Sequence, residues 1–284
     1  MSRRAPVAGR RQTTRVDTLA VGALAAAAAH AAHRLLTDRV TSPRWARTNH
    51  AGTAVTLLEG PAYVTGATVG AAAGAVAAGP AGVVAALGSG AFGALDDLAG
   101  DGSSKGLKGH FGAAARGEIT TGFVKVVGIG ATGLVAAALA DRSREDVGPL
   151  DTLVGGAVVA GAANLANLLD LRPGRALKAT VLAALPLLLT RGPAAPRAAA
   201  AAGAALGVVR PDLSGSSMLG DTGANAAGAL VGAALLDATG RRGRLAALLV
   251  LGGLTLASER VSFTKVIEST PVLRELDAWG RPAR

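Results

Sequence analysis

The sequence predicts an all-α, polytopic integral membrane protein with about nine transmembrane helices, in a range of eight to ten. The first observation is composition: Ala and Gly make up 106 of the 284 residues, while 17% are charged and 2% are aromatic. A soluble protein usually has about 25% charged residues and a core of large side chains, whereas small residues let helices approach closely in lipid. The second observation is that nearly charge-free segments recur along the whole chain.

Nine segments are candidate spans: 18–36, 61–79, 80–95, 119–140, 149–169, 176–190, 196–209, 222–239 and 245–257. Several are shorter than the roughly 20 residues that a straight span needs, so flanking polar residues belong to the predicted helices. The predicted organisation is a basic segment over 1–16, one transmembrane helical domain over 17–257 and a tail over 258–284. Loops are expected near 37–60, 96–118, 170–176 and 210–221.

Other classes of protein fit the composition poorly. Glycine has no three-residue period, which excludes collagen, and the chain has no Cys, which excludes a disulfide scaffold. Long charge-free runs argue against disorder. The net charge of +10 comes from Lys and Arg scattered between apolar runs without interleaved aromatic residues. It therefore indicates loops that face anionic lipid, and no nucleic-acid partner is expected.

Polar residues near membrane spans are costly and are candidates for function. They form four clusters, which are Arg47–His50, Asp96-Asp97 with the loop that follows, Asn164–Asp170 with the loop that follows, and Gly220–Asn225. With nine alternating spans, all four clusters and the C-terminal tail fall on one side. That side holds 15 Lys and Arg against seven on the other, which predicts that it is the cytoplasmic face of the plasma membrane. The same alternation puts the five N-terminal Arg outside, so the orientation of the N-terminus stays open.

The spacing of these clusters suggests a chemistry. Asn164, Asn167 and Asp170 lie three residues apart and share one helix face. Carboxylates from different spans would repel each other unless a cation lies between them. Oxygen ligands favour Mg²⁺ or Mn²⁺, and Mg²⁺ bound by carboxylates normally pairs with substrate phosphates. The sequence thus predicts metal-assisted phosphoryl transfer, although each cluster alone also fits a solvated helix end, interhelical hydrogen bonding or a helix cap.

The order of DDLAG with the basic loop KGLKGH, then NLANLLD, then MLGDTGANAAG resembles the polyprenyl-phosphate hexosamine-1-phosphate transferases over residues 40–240. That family includes phospho-N-acetylmuramoyl-pentapeptide transferase and the undecaprenyl-phosphate N-acetylglucosamine-1-phosphate transferases. The resemblance implies an Mg²⁺-dependent enzyme that moves a sugar-1-phosphate from a UDP-sugar to a polyprenyl phosphate and releases UMP. It places this reaction at the cytoplasmic face, in cell-envelope polysaccharide or peptidoglycan-type synthesis.

The resemblance also implies roles for individual residues. The catalytic residues would be Asp96, Asp97 and Asp170, with the metal held by Asp221 and Asp97. The substrate-binding residues would be Asn49, Lys105, Lys108, His110, Asn164, Asn167, Arg172 and Asn225.

The chain departs from the family pattern at several positions. Pro173 stands where many members have a second Asp, Ala224 replaces a Ser, and a His-rich C-terminal loop is absent. These departures leave the nucleotide and the sugar open. They also keep a second hypothesis in view, in which an inactive family member is a membrane scaffold in envelope assembly. The expected partners are a polyprenyl phosphate, a nucleotide-sugar and the membrane, with a homodimer or envelope-assembly proteins as further candidates. A transporter is a third class.

Overall fold

The protein is built mostly of α-helices. The computed structural model describes residues 9–48, 52–100 and 106–282, and of residues 9–17, 106–108, 110 and 111 the backbone alone. The helices of this part are α1 (Gly9–Arg39), α2 (Glu59–Ala78), α3 (Ala81–Ala99), α4 (Gly106–Ala115), α5 (Thr121–Asp141), α6 (Pro149–Leu169), α7 (Arg175–Leu188), α8 (Ala194–Leu213), α9 (Gly220–Ala238), α10 (Arg241–Ser258), α11 (Phe263–Ser269) and α12 (Pro271–Ala278). A 3₁₀ turn (Pro43–Trp45) precedes a small hairpin of β1 (Ala46–Thr48) and β2 (Ala54–Thr56).

Every predicted span coincides with a helix, but fewer helices qualify as spans. Within the described residues, four are long and apolar enough to cross a membrane: Thr18–Arg39 of α1, and α3, α5 and α6. The pair α10 and α11 makes a fifth if the 95° bend between them lies within one span. The mostly helical fold and the apolar helices agree with the predicted class, whereas the count of nine spans is not confirmed.

The remaining predicted spans fall short for identifiable reasons. Helix α7 has 14 residues, fewer than the hydrocarbon core requires. Helix α8 carries Arg197, Arg210 and Asp212. Helix α2 has few large apolar residues among its Ala and Gly, and α9 carries Asp221, Asn225 and Asp237.

Helix α9 lies at the centre of the bundle and contacts α2, α3, α5, α6, α7 and α8. On one side α1, α2, α7 and α8 share a buried core, and on the other α3, α5, α6 and α10 pack around the same helix. The central position of α9 brings its first residues close to the ends of several other helices.

Small residues fill the interior and large apolar residues face outward. The buried core is dominated by Ala, whereas Leu189 is 87% exposed and Leu249 is 76% exposed. A protein in water normally buries such side chains, since each contributes about 1.5–3 kcal/mol on burial. Their outward placement is typical of helices that are surrounded by lipid and packed through small residues.

A buried ion pair holds α10 against α5. Arg244 is fully buried, and its guanidinium donates to both oxygens of Asp141 at 2.5 and 2.7 Å. The hydroxyl of Thr152 on α6 donates to the same carboxylate at 2.9 Å. Three helices therefore meet at this pair.

The β-hairpin is a departure from the loop predicted over 37–60. Its strands pair antiparallel, with Ala46 opposite Thr56. The carbonyl of Thr56 accepts a hydrogen bond of 3.0 Å from the backbone of Met218, just before α9. The hairpin thus fixes the approach of the chain to the first turn of α9.

Candidate active site

Three helix ends meet around the ammonium group of Lys125, which lies in the first turns of α5. Its Nζ atom is 2.6 Å from Oδ2 of Asp96, near the end of α3, and 2.5 Å from Oδ2 of Asp221, in the first turn of α9. The side chains of all three residues are less than one quarter exposed. The two carboxyl groups also lie within hydrogen-bonding range of each other. One cation therefore joins two acids from different helices.

Asp97 faces the start of α9. Its Oδ1 accepts from the backbone N–H of Asp221 at 3.2 Å, and its Oδ2 accepts from the N–H of Thr222 at 2.8 Å and from the Thr222 hydroxyl at 2.6 Å. A carboxylate here satisfies backbone donors that a helix leaves unpaired, and it interacts favourably with the helix dipole. Arg47 on β1 donates to the backbone carbonyl of Asp97. The adjacent aspartates thus differ, since Asp97 positions α9 while Asp96 faces Lys125.

The close approach of α3 to α9 depends on Gly93. A Cβ atom at this position would collide with the backbone carbonyl of Asp221 and crowd Thr222. The absence of a side chain at Gly93 lets the first turn of α9 lie directly against α3. It therefore helps to set the distance between Asp97 and Asp221.

Replacing Gly93 by Ala is expected to lower the free energy of unfolding by about 1–3 kcal/mol, because an added methyl group overpacks this contact. Gly130→Ala on α5 is the matched control: a Cβ there meets nothing within 4 Å, and Ala favours a helix over Gly by about 0.5–1 kcal/mol. Denaturant unfolding in detergent micelles measures both variants. Equal stability of the two variants would contradict the role given to Gly93.

A cavity of about 400 Å³ adjoins Lys125. Its polar lining includes Asn164 and Asn167 of α6, Asn225 of α9, and Thr255, Ser258 and Glu259 at the end of α10. The amide of Asn164 donates to the Thr255 hydroxyl at 3.0 Å, and that of Asn225 donates to the backbone carbonyl of Asp221 at 2.7 Å. Asn164 and Asn167 therefore line a cavity beside the carboxylates, whereas Asp170, which was predicted to share their helix face, is not part of its lining.

Asp170 lies in a group of buried acids that adjoins Asp97 and Asp221. It is 9% exposed, and its carboxyl accepts a backbone hydrogen bond from Gly220. Burial raises the pKa of Asp170 well above its usual value, and the nearby charge of Asp212 raises it further. Burial also raises the pKa of Asp212 to about 7, and the pKa of Glu59 is raised by burial and by Asp212. Asp170, which was predicted to be catalytic, therefore favours its protonated form and is poorly suited to be an ionised ligand.

The C-terminal tail packs on the segment that follows Asp170. Arg172 pairs with Glu268 at 2.9 Å, and the buried Arg175 pairs with Asp277 through two bonds of 2.7 and 3.0 Å. Burial raises the pKa of Asp277, but the hydrogen bonds and charge of Arg175 outweigh it, so this pKa lies below its usual value. Arg172, predicted to bind substrate, is thus placed at the tail and is not part of the cavity lining.

Four predicted substrate-binding residues cannot be placed. Asn49 and Lys105 lie outside the described residues, and Lys108 and His110 belong to α4, whose backbone alone is described at those positions. The structure therefore brings together Asp96, Asp97, Asp221, Asn164, Asn167 and Asn225 of the predicted set.

The donors of the site suit a hard cation only in part. Among the described residues, no group of three or more His, Asp or Glu side chains is arranged to hold a metal ion. However, Asp96 and Asp221 carry two negative charges against the single charge of Lys125, and they offer only oxygen donors. Mg²⁺ often binds through one or two carboxylates and completes its shell with water and phosphate oxygens. The site therefore fits a cation that arrives with a phosphorylated substrate better than a permanently held one.

Lys125 is the most important of the site residues that the sequence analysis missed. It was counted within the nearly charge-free segment 119–140. An ionisable residue inside an apolar helix is itself a signal of function, because a charge there needs a partner. Glu259, in the predicted tail, and the buried Glu59 and Asp212 were also missed.

No protein-family model matches the chain, and no curated protein is significantly similar to it in sequence. The resemblance to the hexosamine-1-phosphate transferases accordingly rests on the motifs of this sequence.

Proposed function

We propose that the protein is a phosphoglycosyl transferase, which moves a sugar-1-phosphate from a nucleotide-sugar, UDP-linked in the first instance, to a polyprenyl phosphate. The observation that carries this proposal is the meeting of Asp96, Asp221 and Lys125 beside the cavity lined by Asn164 and Asn167. The aspartates and asparagines of these motifs are far apart in sequence, but they are neighbours in space. Phosphoryl transfer depends mainly on positioning and charge neutralisation, which such a cluster provides.

The reaction assigns distinct tasks to the charged groups. An oxygen of the lipid phosphate attacks the β-phosphorus of the nucleotide-sugar, the bond to the α-phosphate oxygen breaks, and UMP leaves with the bonding electrons. Asp96 accepts a proton if the attacking phosphate carries one, and Lys125 stabilises negative charge on the transferred phosphoryl group. Asp97 keeps the start of α9 in place, so that Asp221 stays opposite Asp96.

A divalent cation completes the charge balance of this proposal. Asp221 and Asp96 would hold it together with substrate phosphate oxygens, in place of the predicted pair Asp221 and Asp97, because the Asp97 carboxylate already accepts hydrogen bonds from the start of α9. When bound, the cation would neutralise the phosphates as a Lewis acid. Mg²⁺ is the expected cation and Mn²⁺ the alternative, because the protein donors are carboxylate oxygens.

The cavity supports a nucleotide-sugar as the second substrate. Its volume of about 400 Å³ lies within the range of small-molecule sites. Amide groups of Asn164, Asn167 and Asn225 can donate to and accept from the hydroxyl and carbonyl groups of a sugar or a base. We place the proposed active site at the cytoplasmic face, on the excess of Lys and Arg that nine alternating spans would put on that side.

Purified protein with undecaprenyl phosphate and Mg²⁺ is expected to release UMP from at least one UDP-sugar of a panel. The release should require both the lipid phosphate and the divalent cation, and it should stop when EDTA is added. Chromatographic detection of UMP and of the lipid-linked sugar measures the reaction. A folded, monodisperse protein that releases no nucleotide monophosphate from any UDP-, CDP-, GDP- or dTDP-sugar would overturn the proposal.

The scaffold hypothesis has one specific observation in its favour. Arg172, which was predicted to bind substrate, pairs with Glu268 of the tail, and the nearby Arg175 pairs with Asp277. In a scaffold the tail would remain docked, and cells carrying Asp96→Asn and Asp221→Asn would keep normal envelope synthesis. The transferase proposal expects that synthesis to fail with either variant.

A further inference from the structure

A second groove, of about 490 Å³, lies between α7, α8 and the tail helices α11 and α12. It shares no lining residue with the cavity beside Lys125. Leu182 and Leu206 line it from α7 and α8, while Ile267, Leu273 and Trp279 line it from the tail. Each element that forms the groove therefore contributes apolar side chains to its wall.

The walls of this groove carry exposed apolar side chains. Leu182 is 54% exposed, Leu206 is 59% exposed and Trp279 is 73% exposed. The chain also bends by 95° between α10 and α11, so if α10 crosses the bilayer, α11 runs along its surface. Exposed apolar side chains and a Trp on surface helices are typical of the membrane–water interface. A groove open to this region is accessible to lipid chains.

One end of the groove is positively charged. Lys178 lines it and donates to the backbone carbonyls of Leu276, Asp277 and Trp279 at 2.5–3.0 Å. Arg175 and Arg281 both pair with Asp277. Asp212 also faces this group from α8. Three cations thus meet two acids, one of them fully buried, which leaves an excess of positive charge at the end of an apolar channel.

We propose that this groove binds an anionic phospholipid of the bilayer, with one hydrocarbon chain along the apolar walls and the phosphate near Lys178 and Arg281. Apolar length and a single cationic end match the two parts of such a lipid. The bound chain would fill the space between the tail and α7–α8. It would thereby hold the tail on the segment that joins Asp170 to α7. This site is independent of the proposed transfer reaction.

Trp279 provides a direct probe, since the chain has only two Trp residues. In the variant Trp45→Phe, Trp279 is the sole tryptophan, and it lines the groove. The full chain is reconstituted in vesicles of phosphatidylcholine and phosphatidylglycerol. Brominated chains are carried by one lipid or by the other, over the same range of mole fractions. Brominated phosphatidylglycerol is expected to quench Trp279 at about fivefold lower mole fraction than brominated phosphatidylcholine, because a basic residue near the surface favours an anionic lipid.

Filling the groove should remove this preference. Ala179 lines the groove on α7, and Ala183, one turn later, does not. Ala179→Phe in the Trp45→Phe background should quench equally with both lipids, whereas Ala183→Phe should keep the fivefold preference. Equal quenching by both lipids in the Trp45→Phe protein itself would mean contact with bulk lipid only and would overturn the proposal. So would an unchanged preference in Ala179→Phe.

Discussion

Replacing Asp96 by Asn is expected to lower the rate of UMP release by about a thousandfold, with little change in stability. The Asp96 carboxylate faces Lys125 and Asp221 at the point proposed for phosphoryl transfer. An amide keeps the size of the side chain but can neither accept a proton nor balance the charge of Lys125. Asp221→Asn is expected to have the same effect. The assay is UMP release at saturating nucleotide-sugar, together with the unfolding midpoint in detergent.

Asp97→Asn distinguishes the two adjacent aspartates. Its carboxylate accepts hydrogen bonds from the first turn of α9, so the amide should cost about 1 kcal/mol of stability, as for the loss of a helix cap. Displacement of α9 should reduce activity by about a hundredfold or less. The control is Asp38→Asn, which removes one negative charge from the exposed end of α1 and should be neutral. If Asp97→Asn keeps full stability and loses as much activity as Asp96→Asn, then Asp97 contacts substrate and the assignment is wrong.

Replacing Arg244 by Met should destabilise the folded bundle by about 3–5 kcal/mol, the usual cost of leaving a buried charge without its partner. Arg244 is fully buried, and Asp141 would keep only the hydroxyl of Thr152 as a described hydrogen-bond donor. The free energy of unfolding, measured with a denaturant in mixed micelles, gives this quantity. Arg242→Met is the control, because Arg242 lies on the same turn of α10 and is exposed.

A double variant shows whether the pair itself matters or only the unpaired charge. Arg244→Met with Asp141→Leu removes both charges and should recover much of the loss, because buried ion pairs are often replaceable by apolar residues. Failure of the double variant to recover any stability would indicate that the loss comes from packing of the Arg244 side chain and not from the charge of Asp141.

The positions of the long helices could be predicted from charge-free runs, because a helix in an apolar medium cannot tolerate many charges. The number of spans could not be predicted, since an apolar run can pack against protein as well as against lipid. Helix α8 shows the reason: it is buried along most of its length, including Arg197, so its side chains meet protein on nearly every side. The hairpin of β1 and β2 was missed because its strands have three residues each and no repeating pattern.

The residues of the candidate site that belong to motifs at helix ends could be predicted. The residues that reach the site from distant segments could not. Asp97 and Asp221 were expected to be near each other and are joined through hydrogen bonds at α9. Lys125 escaped because it is a single charge among apolar residues. The contact of Arg175 with Asp277 joins residues that are 102 positions apart, and no local spacing indicates it.

The contact between α3 and α9 at Gly93 has a consequence for how relatives of this chain would diverge. Where two main chains touch, the rotation of a side chain cannot make room for a larger residue. Replacement of such a glycine by any larger residue is therefore disfavoured. Outward leucines such as Leu189 pack against little protein and can be exchanged among apolar residues at little cost. Overall identity can thus fall quickly while a sparse pattern of glycines and acids persists. The spacing between those few positions would therefore indicate common descent after overall sequence identity no longer does.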